Sequence, residues 1–98
     1  MNLQTFKSST EDTQPPVGVS PVLIALWHEA KGDWDAAHRI AQAQANPQGD
    51  WVHAYLHRVE GDEGNAAYWY RRVGKDFCTL ELADEWDQIV EELINAQP

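Results

Sequence analysis

The stretch WVHAYLHRVEGDEGNAAYWYRRVG, Trp51 to Gly74, decides the fold. It reads as an apolar, aromatic helix, a break at Gly61-Asp62, and a second helix that stops at Gly74. Glycine ends a helix by adopting a left-handed backbone, and the aspartate that follows caps the next one. The same plan stands earlier in the chain. LWHEAKGDWDAAH (Leu26 to His38) matches YLHRVEGDEGNAAY (Tyr55 to Tyr68), with Gly32-Asp33 in place of Gly61-Asp62. The two breaks lie 29 residues apart, and one extra residue follows the second. Two copies of a helix–turn–helix unit are therefore expected.

Working outward, Ser20-Pro21 opens the first predicted helix, serine as cap and proline at the first helical position. Val19 is spaced to pack onto Ile24 as a hydrophobic staple. That helix runs to about Lys31, with Leu23, Ile24 and Trp27 on one face and Gly32 as its stop. Asp33 caps the second helix, whose inner stripe is Trp34, Ala37, Ile40 and Ala41. Asn46-Pro47 opens the third helix, which runs to about Glu60; Gly49 weakens its first turn, so Asp50 is an alternative cap. Asp62 caps the fourth, with Ala66, Trp69, Tyr70 and Val73 inward. Thr79 is the expected cap of a fifth helix carrying Leu82, Trp86, Ile89 and Leu93 at helical spacing. No strand pattern occurs. The expectation is all-α: residues 1–19 a disordered polar tail, residues 20–98 one five-helix domain with an acidic C-terminal capping helix.

Composition agrees with a single small core. The chain has 98 residues, and five Trp, three Tyr and two Phe supply much of what can be buried, each removing roughly 150–250 Å² from water. The lone Cys78 excludes an intrachain disulfide and suits a reducing compartment. No apolar run marks a signal peptide or a membrane span, so the cytoplasm is expected. Net charge is −9, and residues 76–98 carry seven acids and no base. Such a balance repels phosphate backbones and speaks against nucleic-acid binding.

The repeated hairpin, with Gly-Asp at each turn, resembles the tetratricopeptide repeat. Ala25 and Ala54 fall on the small-residue position of its first helix; Ala37 and Ala66 or Ala67 fall on the alanine position of its second. The resemblance covers residues 21–75. The period of 29 is shorter than the roughly 34 of that repeat, and its late aromatic is replaced by Ala41 and Arg71. The Trp-His and Tyr-Trp-Tyr-Arg-Arg phrasing is also similar to a small group of uncharacterised bacterial proteins, which implies no function. The tetratricopeptide resemblance implies that the first helix of each hairpin lines a concave groove, with Tyr55 and Arg58 facing it.

Two sets of residues invite a functional reading. His53 and His57 stand at i and i+4, one helical face at metal-ligand spacing. His28 holds the first-copy position equivalent to His57, and Glu29 or Asp50 would add a carboxylate. The competing role for these histidines is helix packing, with hydrogen bonds to backbone or tyrosine. The expectation is accordingly no metal and no cofactor, with a His28/His53/His57 metal or small-molecule site as the alternative. The second set is Tyr55 and Arg58 on the third helix with Tyr68, Arg71 and Arg72 on the fourth. Tyrosine and arginine are favoured binding anchors, and a basic patch on an acidic protein suits an acidic peptide. Tyr68 over solvated arginines is the plainer alternative, and the acids of residues 76–92 are competing internal partners.

No GxSxG elbow, phosphate loop or CxxC is present. The sequence therefore points to a non-catalytic scaffold or adaptor module that binds a protein or acidic peptide, with the last helix a conceivable homodimer surface.

Overall fold

In the computed structural model, which describes residues 1–97, the two Gly-Asp breaks close their helices by the same hydrogen bonds. The Asp33 amide donates to the His28 carbonyl and the Asp62 amide to the His57 carbonyl, both at 2.9 Å. Gly32 and Gly61 have φ of +87° and +84°, which is why glycine is needed there. Each aspartate then turns its carboxylate onto the next helix, accepting from Ala36 N at 3.1 Å and Asn65 N at 3.2 Å. One dipeptide thus ends one helix and begins another.

These turns join α2 (Pro21–Ala30) to α3 (Trp34–Gln42) and α4 (Pro47–Val59) to α5 (Glu63–Arg72); α1 (Leu3–Ser9) precedes them and α6 (Leu82–Ala96) follows. The fold is all-α, with no strand among the described residues. Helix α2 packs on α3 and α4 on α5, while α3 also packs on α4. Ala25, Ala37, Ala54 and Ala66 are completely buried at these contacts, since close helix approach requires small side chains. Helix α4 is central, touching α2, α3, α5 and α6. Every residue from Trp51 to His57 is buried, the two histidines included.

The α3–α4 connection is set by Asn46, whose side chain accepts from Gly49 N at 2.8 Å, so Asn46 and not Asp50 is the cap. Gly49 is not a weakness there. A β-carbon at that position would run into the Gln44 carbonyl and side chain, so only glycine lets α4 start this close to the end of α3.

Residues 1–19 correct the expectation of a disordered tail. Leu3–Ser9 form α1, capped by Asn2, and Phe6 is fully buried with its ring 5.8 Å from that of Trp86. The following loop is tied down as well: Trp27 Nε1 donates to Ser9 O, and Lys31 Nζ to the carbonyls of Thr10 and Asp12. One phenylalanine and a few backbone bonds outweigh a polar composition.

Helix α6 starts at Leu82, three residues after the expected Thr79 cap, with Glu81 at its N-cap. Leu82 is exposed, whereas Trp86, Ile89, Val90 and Leu93 are buried. That stripe lies on α1, α2 and α4, and Trp86 Nε1 donates to the Leu26 carbonyl at 3.1 Å. The capping helix therefore covers the first helices of both units. Its apolar stripe is buried inside the chain. No helix among the described residues is long and apolar enough to cross a membrane.

Candidate functional site

The five residues expected to form one binding patch are split by α6. Tyr55 is buried, its hydroxyl 3.5 Å from both Glu29 Oε1 and the Leu82 carbonyl. Arg58 Nη1 donates to Glu85 Oε1 at 2.8 Å, and its other terminal nitrogen donates to the Leu80 carbonyl. The face that the repeat resemblance implied to be an open groove is covered by α6, and these two side chains make internal ties to it. What stays open beside them is a cleft of about 510 Å³ lined by Lys7, Glu29, Tyr55, Trp86 and Asp87, among others. Burial pushes the Glu29 carboxyl above its usual range, and Lys7 is already paired with Asp87 at 3.3 Å.

Tyr68, Arg71 and Arg72 lie on the outer face of α5, and all three are exposed. Arg72 spreads over the rings of Tyr68 and Trp69, 5.9 and 5.0 Å from their centroids, and its Nη1 donates to the Tyr68 hydroxyl at 3.3 Å. Its Nε lies 3.5 Å from Asp50 Oδ2. Lys75 stands over the Trp51 ring at 4.0 Å. Arg71 pairs with no acid among the described residues.

Beneath this ridge a strip of stacked rings runs back across α4 to α3. Trp69 stacks on His53 with centroids 4.0 Å apart, and Trp34 stacks on His38 at 4.8 Å. Between them His38 meets His53 edge-on at 4.6 Å, and His53 stacks on His57 at 4.8 Å. His38 Nε2 and His53 Nε2 are 3.0 Å apart, so one ring donates and the other accepts. His57 Nδ1 lies 2.7 Å from Glu60 Oε1. A carboxylate can only accept, so Nδ1 carries a proton and donates it. Burial, then the neighbouring His38 and His57, bring the His53 pKa down to about 4 against a smaller opposing pull from Asp50. His38 is lowered by burial and by His57. Both rings are held neutral near pH 7.

This group differs from the one expected. His28 is not in it; its ring sits edge-on to Trp27 at 5.1 Å. The reason lies in the repeat. His57 reaches back from the second unit to α3 of the first, where its ring is 6.0 Å from that of Trp34. His28 repeats that position in the first unit, where the element before it is α1 and not another hairpin. His38 takes its place from α3. The signal for it was present: His38 stands four residues after Trp34 and one turn before Ala41, on the helix that packs against α4.

Cys78 is half-buried, and burial pushes its thiol above the ordinary range, so it stays protonated and weakly nucleophilic. Comparison with family models, with curated proteins and with solved structures gives no match.

Proposed function

We infer that the chain is a non-catalytic interaction module that docks an acidic segment of a partner protein on the outer face of α5. The observation that carries this reading is the exposed ridge of Tyr68, Arg71, Arg72 and Lys75, unneutralised at Arg71, on a chain of net charge −9. Arg71 is the residue we assign to a partner carboxylate. Arg72 is positioned for the same purpose, because its contacts with Tyr68 and Trp69 preorganise the guanidinium and lower the entropy lost on pairing. The two helical units behind the ridge are read as divergent tetratricopeptide-like hairpins, supported by their repeated Gly-Asp turns, and the lone Cys78 suits a cytoplasmic setting.

Titration with a short Glu-rich peptide, followed by tryptophan fluorescence, tests this. Binding should weaken as salt is raised, and Arg71→Glu with Arg72→Glu should abolish it without lowering the melting temperature by more than a few degrees. A Lys-rich peptide of equal length that binds as well, or a Glu-rich peptide that does not bind, would overturn the assignment.

A further inference from the structure

We propose that His38, His53 and His57 form a binding site for a divalent transition-metal ion of the zinc class, held by three imidazole nitrogens. The site is independent of the docking surface on α5 and requires none of its arginines.

Ligand type is the first argument. Neutral imidazole suits zinc, copper, nickel and iron far better than the hard cations magnesium and calcium. Three of the four histidines in the chain converge at this point from α3 and α4, and His53 and His57 do so from one helical face, four residues apart.

Geometry is the second. The ligand atoms of the three residues all lie within 4.8 Å of one another, and two of them, both Nε2, are 3.0 Å apart. A tetrahedral ion about 2.0–2.1 Å from each nitrogen spaces its ligands about 3.3–3.4 Å apart. The His38–His53 pair therefore opens by a few tenths of an ångström, and the His57 nitrogen, within 4.8 Å of the other two, closes toward the ion.

The third argument is the surroundings. His57 already donates its Nδ1 proton to Glu60 at 2.7 Å, the carboxylate–histidine arrangement that fixes the tautomer of a metal ligand and strengthens its basicity. Trp34 and Trp69 clamp the planes of His38 and His53 from outside. Three ligands leave one tetrahedral position for water or a small anion, and His38 is the least buried of the three. The neighbouring set of His57, Glu60 and Asp62 is not a competing site. Asp62 is engaged with both Asn65 nitrogens as the cap of α5, and Glu60 is the partner of His57.

The test uses the full chain freed of metal with a chelator, then titrated with zinc by calorimetry and with cobalt(II) by visible absorption. One ion should bind per chain, with the d–d bands of a four-coordinate site. His38→Gln, the least buried ligand and so the variant least able to disturb folding, should weaken binding at least tenfold. Glu60→Ala should weaken it by about 10–100-fold, and His28→Gln should leave it unchanged. No stoichiometric binding to the wild-type chain would overturn the proposal. So would binding that His38→Gln and Glu60→Ala leave intact, or that His28→Gln removes.

Discussion

Arg58 Nη1 lies 2.8 Å from Glu85 Oε1, an ion pair in which the carboxylate is 1% exposed. Glu85 also accepts from the Tyr70 hydroxyl at 2.5 Å, so one side chain of α6 is tied to α4 and α5 together. A buried charge is tolerated only when it is paired and hydrogen-bonded, and removing one partner strands the other. Arg58→Ala should therefore cost roughly 3–5 kcal/mol, read from urea unfolding. Arg71→Ala, at a solvated position, should stay within about 0.5 kcal/mol. Replacing Arg58 with Met and Glu85 with Leu together should restore much of the loss, because apolar residues of similar size often match a buried pair. Equal costs at Arg58 and Arg71 would mean that the pair does not hold α6 in solution.

Phe6 makes the second case. It is the only fully buried side chain of α1, lodged against Trp86 in the main core. Phe6→Ala should destabilise the protein by roughly 3–5 kcal/mol, and deleting residues 1–12 should do at least as much, since it also strips the acceptors of Trp27 and Lys31. Intrinsic fluorescence during thermal unfolding reads both, because the loss uncovers Trp86. A truncated chain that melts with the full one would return residues 1–12 to the status of a tail.

The contrast between Phe6 and Asp33 shows what the amino-acid sequence made legible. Asp33, Asn46 and Asp62 act over three residues through their own side chains, so the starts of α3, α4 and α5 were readable locally. Gly32 and Gly61 mark their stops for the same reason. Burial of Phe6 depends on Trp86, 80 residues away, and no local pattern announces such a contact. Helix α6 sits between these cases. Its stripe was legible, but its first turn was not, because Glu81 caps it without a side-chain hydrogen bond. The candidate site divided along the same line. The pair His53 and His57 followed from helical period, whereas choosing between His28 and His38 needed the stacking of one unit on the next. Arg58 and Arg71 look alike in sequence, and only the path of α6 separates them.

The last expectation concerns protons at His53. In the unfolded chain this imidazole takes up a proton near its ordinary value of 6.5, but in the folded chain only at about 4. Between those values the unfolded state binds a proton that the folded state refuses, so stability falls as pH falls through the window. It is complete above about pH 6.5 and loses no more from this group below about pH 4. The groups around it are His38, His57 and Asp50, with Glu60 bonded to His57 and Trp69 and Trp34 closing the stack. Burial lowers His38 too, which adds to the same slope. Glu29, raised by burial, acts in the opposite sense. A difference measurement separates them. With a chelator present to exclude metal, urea unfolding of the wild-type chain and of His53→Gln is compared at about pH 7 and about pH 4.5. The wild type should lose on the order of 1–3 kcal/mol more than the variant between those values. Glutamine keeps a polar end against His38 but carries no titrating group, so parallel losses in the two chains would mean that His53 is solvated and not held neutral in the stack.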